Sequence, residues 1–175
     1  GYFLIVLLIL QKLNLFPLFF FDKSNASLLT SIIFFILILN FFNQLFSGDS
    51  GSYSLSFLLG FILIKVYNLN SYISPYFIIL LLWYPCFENL FSIIRKTLNK
   101  KNPLMPDNDH LHHFLFIIIK RKFNINQLLA NNLSSILINL FNLIILYIGS
   151  MKISYTIFQL QIITVAVLSY VFFYF

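Results

Sequence analysis

Charge is what this sequence has least of. Only 9% of its 175 residues are charged and five are acidic, against 60% hydrophobic residues that include 23 phenylalanines. A soluble globule of this size needs more polar surface than that, so the class is excluded. Cysteine is nearly absent too: Cys86 stands alone, which excludes an intrachain disulfide and leaves the redox compartment unread. No Asp-Asp pair occurs, no internal repeat is evident, and nothing resembles a soluble second domain. There is no initiating methionine or basic leader, and Gly1 runs straight into apolar residues; this reads as a chain cut inside a membrane segment, not as a signal peptide.

What is present is apolar sequence in long runs, with little helical or alternating polar periodicity. Such runs belong to helices that are hydrophobic all round, and they are too continuous for the alternating strands of a membrane barrel. The fold class expected is therefore all-α: a polytopic membrane helical bundle of about six transmembrane helices, with residues 1–175 as a single integral membrane domain.

At about 20 residues per crossing, the spans are expected at 2–21, 27–45, 53–67, 72–87, 127–149 and 153–175. Gln11, Lys12, Asn14 and Pro17 interrupt the first. The third is so short that its helix is expected to begin in the glycine-containing stretch before it. Between the fourth and fifth lies a polar loop, 88–126, with seven of the eleven Lys and Arg residues and all three histidines. Two spans separate this loop from Asp49, so both lie on one side of the membrane, and the positive-inside bias makes that side cytoplasmic. Basic residues between apolar runs serve topology and contact with anionic membrane lipids; no nucleic acid is expected as a partner.

Two clusters carry candidate chemistry. Gly48-Asp49-Ser50-Gly51-Ser52 places a carboxylate between glycines at the mouth of a helix. The glycines permit close backbone approach, the helix N-terminus offers free N–H groups, and Asp49 is a hard oxygen ligand suited to Mg²⁺. The bland alternative is an ordinary turn between spans. A Gly-Asp-Ser-Gly run also occurs in chymotrypsin-like proteases, but nothing else of their triad could be built here, so Ser50 is not a nucleophile candidate.

The second cluster is Pro106-Asp107-Asn108-Asp109-His110-Leu111-His112-His113. Spacings of two and one do not put three imidazoles on one helix face, and no cysteine is near, which disfavours a structural zinc site. Imidazoles can bond phosphate oxygens, shuttle protons or brace a loop through Asp107 and Asp109; histidines scattered in a polar loop are the plain alternative. Inside the spans, Asn40 and Lys65 are costly and so are candidates, although Lys65 can snorkel to an interface.

In their order these features resemble the C-terminal half of the polyprenyl-phosphate N-acetylhexosamine-1-phosphate transferases, the WecA/MraY family of bacterial membrane enzymes. The resemblance rests on Asn40 followed by Phe46-Ser47-Gly48-Asp49-Ser50-Gly51-Ser52, then Pro85, Glu88 and Arg95-Lys96, then Pro106 to His113, and two closing spans. It covers roughly Leu28 to Phe175, and the histidine pattern is more similar to the O-antigen and teichoic-acid branch than to the peptidoglycan branch. Glu88 stands where aspartate is usual, Ser56 where glycine is common, and Asn108 and Phe114 where arginine is frequent.

The resemblance implies attack by polyprenyl (undecaprenyl) phosphate on the β-phosphate of a UDP-N-acetylhexosamine, with release of UMP, at the cytoplasmic face of the bacterial inner membrane. It implies Asp49 as a catalytic Mg²⁺ ligand, with Mn²⁺ as the substitute. Gly48 and Gly51 would then admit the diphosphate and Asn40 would border the substrate. His110, His112 and His113 would hold the donor phosphates, with Asp107 positioning their loop. A homodimer is compatible with it. The family's paired aspartates are expected upstream of Gly1. The competing expectations are a truncated or degenerate membrane module of the same fold and, last, a transporter, which would put polar sites at the membrane midplane.

Overall fold

The computed structural model describes residues 1–15, 23–45, 48–100, 102 and 110–174. Among them lie seven α-helices and no strand: α1 (Tyr2–Lys12), α2 (Lys23–Phe41), α3 (Gly48–Leu69), α4 (Pro75–Leu98), α5 (Leu111–Phe123), α6 (Gln127–Gly149) and α7 (Thr156–Tyr174). A 3-10 turn, Ser150–Lys152, joins the last two. Four stretches are long and apolar enough to cross a membrane: Ser50–Leu69, Pro75–Leu98, Gln127–Lys152 and Thr156–Tyr174. The chain is a multi-pass, all-α membrane protein.

Two of the six expected spans come out shorter. The helix in the first ends at Lys12; 11 residues at about 1.5 Å each cover roughly half of a ~30 Å hydrocarbon core. Residues 16–21 of that expected span lie outside the described residues. The apolar part of the second, Asn25–Phe41, also falls short of the other four. As expected, α3 starts inside the glycine-containing stretch, at Gly48, whose φ of +60° only glycine adopts without strain.

α6 is the hub on which α1, α4, α5 and α7 pack. Its polar side chains are largely spent on backbone carbonyls. Ser134 bonds Asn131 O at 2.8 Å, Asn142 bonds Ile138 O at 2.9 Å, and Asn132 Nδ2 donates to Phe41 O at 3.1 Å, tying α6 to the end of α2. Within lipid no water would satisfy these donors, so each finds an acceptor in the protein.

The turns at the far end of the bundle are tied in the same way. Ser74 N donates to Ile153 O at 3.0 Å, and the Ser74 and Thr156 hydroxyls lie 3.1 Å apart. Gln159, fully buried, bonds the carbonyls of Gly149 and Lys152, each at 2.8 Å, and so closes the hairpin between α6 and α7.

The expected loop over 88–126 is corrected. α4 continues to Leu98, and Leu111–Phe123 forms a helix of its own. The polarity that suggested a loop is instead the wet end of a membrane helix followed by an amphipathic one. Leu111 and Ile119 of α5 are buried, and Lys120, Arg121 and Lys122 fill its last turn, which suits the helix dipole and a membrane surface.

Candidate active site

The described parts of the two polar clusters lie at one end of the bundle. α3 begins there, α4 ends there, and α5 packs there against α6. Asn40 and Gly48 border one cleft of about 340 Å³ together with Ser52. His112 and His113 border a second groove, of about 530 Å³, with Asn43, Phe116, Gln127 and Asn131. A third, of about 370 Å³, joins them along α6, since it is lined by both Asn40 and Asn131.

The histidines are brought together by cap geometry and not by helical period. His110 is the N-cap of α5, with extended backbone (φ −84°, ψ 151°), and its carbonyl accepts from His113 N at 2.9 Å. Because His110 sits outside the helix, its ring can stack on that of His112, with centroids 5.6 Å apart and planes 15° from parallel. Both turn Nδ1 to one carboxylate oxygen, Glu88 Oε1, at 3.6 Å for His110 and 3.7 Å for His112. These separations exceed hydrogen-bond length and lie within ion-pair reach when an imidazole is protonated. Glu88 Oε1 is buried and has no hydrogen-bond partner; the two imidazoles and the Tyr84 hydroxyl are the polar groups that face the carboxylate. With Nδ1 turned to Glu88, His112 keeps Nε2 as its outward edge. His113 packs edge-on to Phe116 at 6.0 Å.

A ring cluster seats α5. Phe114 meets Tyr174 of α7 edge-on at 5.1 Å, and Tyr174 stacks on Tyr170 and packs against Phe91 of α4. Arg95 donates from Nη1 to the Tyr174 hydroxyl and lies 5.4 Å from the centre of its ring. Phe114 thus gives the histidine helix an aromatic contact with α7.

Other expected residues fare unequally. Asn40 bonds Leu45 O at 3.2 Å, so it also closes the end of α2. Gly51 lies in the first turn of α3, where free N–H groups point out of the helix. Asp49 occupies that same turn, but its side chain lies outside the described residues, as does all of Asp107. Among the described residues, no three His, Cys, Asp or Glu side chains gather as a cation would require. They do not make a complete Mg²⁺ site, and no step through a metal follows from them.

Asn43, Phe116, Gln127 and Asn131 line the histidine groove but do not figure among the residues picked out by motif. Gln127 and Asn131, four apart at the start of an apolar run, are the one signal that could have marked α6 as part of the site.

No family model matches the chain, and no solved structure does. One curated protein does. Over 76 residues the chain is 41% identical to the "probable undecaprenyl-phosphate N-acetylglucosaminyl 1-phosphate transferase" of Bacillus subtilis (strain 168). The match takes in 41% of this chain and 20% of that relative, so the chain spans about a fifth of the relative's length. The similarity supports the resemblance to polyprenyl-phosphate sugar-1-phosphate transferases; it does not separate the WecA-like branch from the others.

Proposed function

We propose that the protein transfers N-acetylglucosamine 1-phosphate from a UDP-linked donor to undecaprenyl phosphate, and so starts a lipid-linked cell-surface polysaccharide. An oxygen of the lipid phosphate attacks the β-phosphorus of the donor. The bond from that phosphorus to the bridging oxygen breaks, and UMP leaves with the oxygen. A lipid substrate arrives within the bilayer and a nucleotide arrives from water, so the reaction belongs at the edge of a bundle. The observation that carries the reading is the convergence, at one such edge, of Gly48–Gly51 with the histidine helix from two spans away. The identity to the Bacillus relative supports the choice of substrates.

In this reading His110, His112 and His113 bind the donor phosphates, and Glu88 holds two of them in place. The backbone of Gly48 and Gly51 admits the diphosphate at the start of α3, Asn40 borders it, and Asp107 steadies the approach to α5. Asp49 would help to hold a divalent cation, Mg²⁺ or Mn²⁺, which when bound would supply charge neutralisation for phosphoryl transfer. The active end faces the cytoplasm, since Arg95, Lys96, Lys100, Lys120, Arg121 and Lys122 cluster there, while Lys152 lies in the turn at the other end.

The test is an assay of membranes containing the full-length protein, with UDP-N-acetylglucosamine, undecaprenyl phosphate and Mg²⁺, following UMP and lipid-linked sugar. Product that vanishes with chelator is the expected result. A folded protein that yields no product from any UDP-N-acetylhexosamine would instead be a non-catalytic module of the same fold.

A further inference from the structure

The groove between α5, α6 and the end of α2 carries chemistry that phosphate binding does not use. Its volume, about 530 Å³, falls within the roughly 300–1,000 Å³ of small-molecule sites. Gln127 and Asn131 stand one turn apart on α6 and so share a face. Asn43 approaches from the other wall, at the left-handed end of α2. None of the three carboxamides makes a side-chain hydrogen bond to another described residue. Each holds two N–H donors and a carbonyl acceptor ready for a ligand.

Phe116 adds an apolar ring face, held edge-on by His113. Among the described residues the lining contains no Lys, Arg, Asp or Glu. Apart from the imidazoles of His112 and His113 on one wall, the described lining is neutral, and a site for a polyprenyl chain would not carry three such amides. Neutral amides beside an aromatic face fit a neutral ring that bears hydroxyls and an amide.

We infer that Asn43, Gln127 and Asn131 seat the N-acetylhexose ring of the donor and select it. The inference rests on the transferase reading, because it takes His112 as the point where ring and diphosphate join: His112 lines the groove and also faces Glu88. The sugar lies against Phe116, its acetamido group faces the α6 amides, and its anomeric phosphate points to the imidazoles.

Two measurements on the full-length protein in membranes test this. Asn131→Ala and Gln127→Ala alter exposed side chains, so the bundle should stay intact. Each should reduce the preference in kcat/KM for UDP-N-acetylglucosamine over UDP-glucose, which lacks the acetamido group, by roughly tenfold or more, as expected when a site built to bond a polar group loses its partner. His112→Ala should lower both donors alike. In a Cys86→Ser background, Gln127→Cys should be shielded from a maleimide by UDP-N-acetylglucosamine but not by UMP.

Equal loss with both donors, or shielding by UMP as complete as by the sugar nucleotide, overturns the assignment and gives the groove to the nucleotide. If the unaltered protein transfers no sugar, the transferase reading falls and this assignment with it. If it transfers normally and the preference is unmoved, only the assignment falls.

Discussion

Glu88 sits under two imidazoles with a buried oxygen that no hydrogen bond reaches. A carboxylate so placed costs free energy unless compensating groups stay near, and the imidazoles of His110 and His112 face it. Glu88→Gln keeps the shape and removes the charge. It should lower UMP release about 10- to 100-fold, the range seen when a group that orients a functional histidine is lost, and Glu88→Asp should recover part of that loss. Unchanged turnover in Glu88→Gln would sink the pairing. At the same scale, Asp49→Ala should abolish transfer and His112→Ala should depress it strongly, whereas Lys152→Ala, at the far end of the bundle, should do little. Mg²⁺-dependent turnover retained in Asp49→Ala would contradict the role given to that carboxylate.

At the scale of elements, the helices are held by what closes their ends. α1 and α2 each finish on an asparagine in the left-handed conformation, Asn14 (φ 53°) and Asn43 (φ 57°). In each, the next residue's N–H reaches back five positions, Leu15 to Leu10 O at 2.9 Å and Gln44 to Leu39 O at 2.8 Å. Glycine usually takes this position, and asparagine is the residue that best replaces it. Gln159 does comparable work across the hairpin of α6 and α7. Gln159→Leu removes both bonds and takes the donor from the buried Gly149 carbonyl, and should destabilise the bundle by about 1–3 kcal/mol, measured as earlier thermal unfolding in detergent. Tyr174 links α7, α4 and α5 through Arg95 and Phe114. Tyr174→Ala should raise hydrogen exchange across Leu111–Phe123, while Tyr174→Phe, which keeps the ring, should raise it less. Equal exchange in both variants and the parent would mean that the ring cluster does not hold α5.

For the whole molecule the governing fact is that the two ends differ. One gathers the starts of α3 and α6, the end of α4 and all of α5; the other holds the turns joined through Ser74 and Ile153. In a Cys86→Ser background, single cysteines placed at Ser50 and at His113 should react with a membrane-impermeant maleimide only from the cytoplasmic side. One placed at Met151 should react only from the opposite side. Labelling of Ser50→Cys and His113→Cys from different sides would refute the shared face.

Much of this was legible without coordinates. Apolar runs set out the spans, because a backbone in lipid must bond to itself, and α6 begins and ends where its run does. Parity between the motifs required the shared end. Polarity marks 88–126 as a loop because it reports contact with water, and an amphipathic helix meets water on one side as a loop does. No spacing could reveal that His110 joins His112 over Glu88. That depends on an extended cap residue and on the rotation of α4, both decided by packing against α6 and α7. Nor could it reveal that Asn43, Gln127 and Asn131 face one groove. They come from helices distant in the chain, and only the way those helices settle on one another turns three ordinary amides into a single surface.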